Sequence, residues 1–279
     1  METLVVDRNP WRGWRWSLTT LLALGSVLLL WAYGPIHQLP HYHDFVGDRA
    51  WWGVPAAVNV WSNLPFLLVG LWGLRVVGRL PRVPGDTAWA GWRLFFLGVT
   101  LTGAGSAFYH WAPDNARLVW DRLPIALAAA GMLAAGWAEG GHRAWGREAA
   151  ALCALLAVIS VAWWHFTGLG TAEGGDLRPY LWLQLAPLLL VPCWQHRAQA
   201  PWSERLAILQ AGLCYGLAKV AELGDAVVYD LSGGWLSGHH LKHLLAALAC
   251  AWLAAMLRQR SPAQPAMPQR PKRVAHSST

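Results

Sequence analysis

Charge is scarce in this 279-residue chain: Asp, Glu, Lys and Arg make up 13% of it, against about 25% in an average soluble domain. Such scarcity excludes an ordinary water-solvated surface. Cysteine is sparse too. Cys153, Cys193, Cys214 and Cys250 form no CxxC and lie in apolar stretches, which excludes a disulfide framework and a thiolate metal site. There is no internal repeat and no long polar insert, so the chain reads as one bundle rather than several domains.

Apolar residues make up 55% of the sequence, in blocks near the ~20 residues that span a bilayer. The blocks predict an all-α membrane protein with eight spans, at about 16–35, 54–78, 89–110, 117–138, 146–168, 179–194, 204–228 and 235–257. The sixth is the weakest, being short and carrying Pro179, Pro187 and Pro192. Arg8, Arg12 and Arg15 precede the first run, and Tyr33-Gly34-Pro35-Ile36-His37 offers no small-x-small cleavage site, so this span reads as a retained signal-anchor. Residues 1–53 then comprise a cytoplasmic N-terminus, that helix and an external loop. Residues 258–279, basic and without apolar period, read as a disordered cytoplasmic tail.

A net charge of +7 does not point to nucleic acid, because the cations sort by side. With the N-terminus cytoplasmic, only Arg49, Arg117, Arg122 and Arg178 fall outside, while Lys219 and Lys242 lie within spans. The remaining Lys and Arg are all cytoplasmic, the positive-inside pattern for both termini in. Many of the 21 Trp, among them Trp11, Trp14, Trp16, Trp51, Trp52 and Trp235, sit near span ends as interfacial anchors.

Ionisable groups within a membrane are costly and mark function by default. By topology Ser106, His110, Asp121, His239 and His243 all lie near the outer ends of their helices. At ~1.5 Å rise per residue they share a slab roughly 6–10 Å thick. His239 and His243 are four apart, so one helix face presents both to one ion. His110 supplies a third imidazole from another helix. A lone histidine in an apolar helix is more often structural, and HxxxH alone is common by chance; the matching depth of all five favours a metal. Three protein ligands with an open fourth position is the pattern of catalytic zinc, and such an ion lowers the pKa of water toward ~7 and polarises a carbonyl. Asp121 fits a general base, and Ser106 a donor to an oxyanion or an orienter of a ligand. His240 points about 100° from His239 and is not expected to ligate. Lys242 should face away, since a cation beside the ion opposes it.

Two further polar sets stand out. Lys219, Glu222, Asp225 and Asp230 lie on the seventh span; Lys219 and Glu222 are spaced for an ion pair, and the set reads first as a packing device. Glu222 or Asp225 could instead line a cavity or support a ligating histidine. Asn59, Trp61-Ser62-Asn63 and Pro65 sit on the second span, where small polar residues bond between helices. The external loop over 36–53 holds His37, His41, His43, Asp44 and Asp48.

SxxxH at one helix end, an Asp eleven residues after that His, and HxxxH in the last helix together resemble the alkaline ceramidases and the wider CREST membrane-hydrolase superfamily. Ser62-Asn63, the stretch from Tyr109 to Pro124 and the stretch from Ser237 to His243 are similar to its bacterial branch. The resemblance covers about residues 54–257, seven helices preceded by one addition. It implies zinc on His110, His239 and His243, with Ser106 and Asp121 completing the site. It further implies amide hydrolysis of a ceramide-like membrane lipid, near the periplasmic face of a bacterial inner membrane. Animal members carry a Glu where this chain has Ala56, and only Asp44 and Asp48 remain nearby, which speaks against a calcium site. They often carry Trp where this chain has Lys242. The competing expectations are a receptor-like protein with a structural zinc and, on Glu222, Asp225 and the histidines, a proton-coupled transporter.

Overall fold

The structure is a computed structural model and describes residues 11–47, 49–171 and 174–260, with side chains from Leu18 onward. Arg8, Asp48 and the tail beyond Arg260 lie outside the described residues, as do the side chains of Trp11, Arg12, Trp14, Arg15 and Trp16. The order is α1 (Trp11–Tyr33), α2 (Ala57–Trp61), α3 (Leu64–Arg79), α4 (Trp89–Trp111), α5 (Asn115–Glu139), a 3-10 turn (Arg143–Trp145), α6 (Gly146–Thr167), α7 (Arg178–Arg197), α8 (Trp202–Leu223), α9 (Asp225–Leu231) and α10 (Gly238–Arg258). No β-strand occurs among the described residues.

Five helical segments are long and apolar enough to cross a membrane: Ala57–Arg79, Asn115–Glu139, Arg143–Thr167, Trp202–Leu223 and Gly238–Arg258. The apolar part of α1, Leu18–Tyr33, is shorter, and α4 and α7 are not among the five. The polarity of α8 is inverted relative to a water-soluble helix. Leu206, Leu209, Leu213, Leu217 and Val220 form an exposed stripe at helical spacing, while Ala207, Ala211, Ala218 and Ala221 face inward. Large apolar side chains outward and small ones at the helix contacts are what lipid solvation selects.

The most extensive helix-to-helix contact in the bundle is between α4 and α5, and glycine brings the two backbones together. Gly91, Gly98 and Gly105 recur every seventh residue on α4. A Cβ at Gly91 would lie 2.3 Å from the Ala135 nitrogen, at Gly98 2.4 Å from that of Ala128, and at Gly105 2.0 Å from the Trp120 carbonyl oxygen. From the other side, Gly131 of α5 meets the Phe95 backbone. Pro124 lies inside α5; it has no N–H to give to the Trp120 carbonyl, so α4 runs closest where that oxygen lacks its helical partner. This seam holds Ser106 of α4 beside Asp121 of α5.

Two expected spans are broken, and each break carries polar groups. Pro65, in the first turn of α3, cannot continue the hydrogen bonding of α2, and the chain turns through Ser62 and Asn63. The seventh span stops at Leu223 and restarts as α9 after Gly224. The start of α5 is capped by Asp114, which accepts from the Arg117 amide at 2.7 Å. The start of α10 has a capping box: the Ser237 hydroxyl accepts from His240 N–H, and Ser237 N–H donates to His240 Nδ1 at 3.0 Å. Both caps lie at the end of the bundle where His110 ends α4.

At the opposite end Arg260 binds Glu139 of α5 (Nη2 to Oε2, 3.0 Å) and Glu204 of α8 (Nε to Oε1, 3.2 Å), while Trp92 of α4 donates to Glu139 at 2.7 Å. The expected tail boundary at Arg258 is thus too early, because Arg260 finds two carboxylates and clasps three helices. The extra helix α1 docks on α7: Arg178 donates to the Trp31 carbonyl at 3.2 Å and stacks on its ring, and Trp182 donates to Ser26 at 3.0 Å.

Asp176, just before α7, receives Trp163 Nε1–H at 3.0 Å, the Ile36 amide at 3.3 Å and the Arg178 guanidinium at 2.9 Å. Burial pushes its carboxyl up, but the hydrogen bonds from Arg178, Trp163 and Ile36 prevail and hold it below the ordinary carboxylate range. A carboxylate with a depressed folded-state pKa stabilises the fold above its unfolded pKa, about 3.9, and loses that contribution as pH falls through the lower folded value. Asp176→Asn should therefore lower the melting temperature at pH 6 and flatten the loss of stability below about pH 4, as read by thermal unfolding in detergent across pH. At the seam, Gly98→Val should destabilise by about 1–3 kcal/mol, because its Cβ meets backbone that no rotamer can move; denaturant unfolding of the variant measures this.

Candidate metal centre

Each ligand is positioned by a local feature already described. His110 occupies the last turn of α4, and His239 and His243 the first two turns of α10, one turn apart on one face. All three are buried. One nitrogen from each ring lies within 4.8 Å of the others, and His110 Nε2 is 3.1 Å from His239 Nε2. Among the described residues this is the group of His, Cys, Asp and Glu side chains able to hold an ion. The convergence expected from sequence is therefore present in space for all three imidazoles.

The tautomer of His243 follows from its neighbour. Ser62 has one hydroxyl proton, and it goes to the Asn59 carbonyl at 3.0 Å. At 2.7 Å from His243 Nδ1 the same oxygen must accept, so the imidazole donates from Nδ1 and keeps a lone pair on Nε2. A ligating histidine fixed through its other nitrogen is the arrangement that orients metal ligands. His110 Nδ1 is buried without a hydrogen-bond partner. Three imidazole nitrogens facing one point suit a borderline-soft divalent ion such as zinc, and the residues present fit that ion.

Asp121, one turn into α5, is hydrogen-bonded by the Ser106 hydroxyl of α4. The Ser106 proton is thus directed at Asp121, and Ser106 positions that carboxylate. Asp225, at the start of α9, accepts the His239 amide at 2.7 Å and the Val46 amide at 3.3 Å. It thereby ties the start of α10 to the loop between α1 and α2. Lys219 and Glu222 form the expected pair at 2.9 Å. Asp230 is exposed and has no part in the triad.

Lys242 corrects the expectation that it faces away. Its Nζ lies 2.9 Å from Glu222 Oε1, and 3.3 and 3.2 Å from Nδ1 and Nε2 of His239. The physical reason is Glu222: a carboxylate twenty residues away in sequence offsets the repulsion that would otherwise drive an ammonium off the site. Equal distances to both ring nitrogens place the ammonium over the imidazole ring, because an in-plane approach would collide with the carbon between them. The lone pair on Nε2 is left clear.

The loop between α1 and α2 folds over the centre. Phe45 packs on His110 and His239, with ring centroids 4.7 and 4.4 Å apart. The loop histidines are tethers: His43 pairs with the Tyr109 hydroxyl at 2.9 Å and Asn115 at 3.1 Å, His41 with Asp44 at 2.9 Å, and His37 with the Gly174 carbonyl at 3.1 Å. His240 serves the α10 cap and is not part of the triad. No sequence signal identifies Phe45, since loop contacts follow no period. Ser62 was visible as a polar group in an apolar span, though not its partner.

No protein-family model matches this chain, and no curated protein matches it. The chemistry of the centre rests on its own geometry. Ser62→Ala removes the acceptor that fixes His243 and should weaken zinc binding about tenfold, measured by competition with a chromogenic chelator.

Proposed function

We propose that the chain is a zinc-dependent intramembrane hydrolase that cleaves the amide bond of an N-acyl, ceramide-like lipid to an amine and a fatty acid. The observation that carries the reading is a buried His110–His239–His243 triad, with one nitrogen from each ring within 4.8 Å of the others. On this reading the three imidazoles hold zinc, which when bound supplies a Lewis acid for the carbonyl and an acidified water. Asp121 takes the proton from the attacking water and returns it to the leaving nitrogen. Ser106 holds the Asp121 carboxylate in register for both transfers. Phe45 excludes bulk water from the ligands and withdraws when substrate enters. The resemblance to alkaline ceramidases and the CREST superfamily supports the substrate class, and the positive-inside pattern supports eight spans with both termini cytoplasmic and the centre near the outer, periplasmic face.

One observation favours the second reading, a receptor-like protein with a structural zinc: the Phe45 ring lies directly against two of the three ligands. Metal analysis and turnover separate the two. On the hydrolase reading, purified protein carries about one zinc per chain, lost in His239→Ala/His243→Ala, and releases fatty acid from N-acyl lipids. Asp121→Asn should keep the zinc and lose about 10²–10⁴-fold in turnover. Zinc without hydrolysis across an N-acyl lipid panel, with unfolding on chelation, selects the structural reading.

A further inference from the structure

The mechanism above gives the acyl oxygen a Lewis acid but no hydrogen-bond donor. During amide hydrolysis the water oxygen bonds to the acyl carbon while its proton passes to Asp121, and the carbonyl π pair moves onto the acyl oxygen. That oxyanion collapses as the C–N bond breaks, its pair going to nitrogen, which takes the proton from Asp121. On this reading the Ser106 hydroxyl serves Asp121. A second donor is needed, and a cation stands at the site without an assigned task.

We propose that Lys242 is a further catalytic residue, whose ammonium meets the acyl oxygen and afterwards the carboxylate of the product. Its Nζ lies 3.2 Å from His239 Nε2, within reach of a group bound at the triad. It is four-fifths buried, with 19% of its side chain exposed, so the charge acts in a medium that screens it weakly. An ammonium has three donors; Glu222 takes one at 2.9 Å and the imidazole face of His239 contacts the group without using its lone pair. At least one donor remains for an anion. Glu222 also pairs with Lys219 at 2.9 Å, so a single carboxylate is shared by two ammonium groups. The ligand class that fits this corner is a carboxylate or the oxyanion that precedes it.

This proposal rests on the metal reading, and cobalt(II) distinguishes the failure of one from that of the other, since its visible spectrum reports both occupancy of the triad and anion binding. The full-length protein in detergent is loaded with cobalt and titrated with acetate. Acetate affinity should fall at least about tenfold in Lys242→Met and Lys242→Gln, the order expected for loss of a hydrogen bond to a charged group. It should stay within about threefold of wild type in Lys242→Arg, with cobalt content unchanged in all four proteins. Full cobalt occupancy with equal acetate affinity in wild type and both neutral variants would overturn the role of Lys242 while leaving the metal centre standing. A wild-type protein that takes up no cobalt would overturn both.

Discussion

The backbone seam between α4 and α5 is the contact on which the rest of the site depends. Three glycines at seven-residue spacing let the helices touch main chain to main chain, and any side chain there would force them apart. Ser106 lies next to Gly105, and Asp121 next to the Trp120 carbonyl that Gly105 meets. The hydrogen bond from Ser106 to Asp121 is therefore a by-product of this backbone contact. A site geometry of this kind needs supporting elements that cannot drift, and a seam packed backbone to backbone leaves little to rearrange.

The second determinant is the way α10 begins. Ser237 and His240 close a capping box, and Asp225 takes the next amide, so the first turn of α10 has its N–H groups satisfied where water is scarce. His239 sits in that turn and His243 one turn below it. Polar groups within a membrane protein cost stability unless paired, and the pairs found here do structural and chemical duty together. Ser62 bridges α2 and α10 while selecting the tautomer of His243. Glu222 bridges α8 and α10 while holding Lys242 over His239.

Much of this was legible in the sequence, for identifiable reasons. The triad was visible because histidines in apolar helices are conspicuous, and because loop-by-loop topology fixes which helix ends lie together. The same argument expected Ser106 and Asp121 at that depth, and the structure pairs the two with each other. Three things were not legible. Lys242 was misjudged because repulsion from an ion was weighed without Glu222, whose approach depends on how α8 crosses α10. Arg260 was assigned to a tail because composition alone cannot show that Glu139 and Glu204 meet at the end of α10. Phe45 was invisible because a loop without regular structure gives no direction to its side chains. The breaks at Ser62-Asn63 and Gly224 were read through as continuous spans, although Pro65 and Gly224 signalled them.

The parts of the centre are far apart along the chain: Ser62 and His243 are separated by 181 residues and His110 and His239 by 129. A ribosome feeding helices into a bilayer delivers α4 and α5 long before α10. Two of three ligands, and the lysine beside them, arrive with the last helix. Any ion must therefore be acquired by a nearly finished bundle, and it cannot template the early helices as zinc does in small metal-dependent folds. The glycine seam has to form without help from the metal.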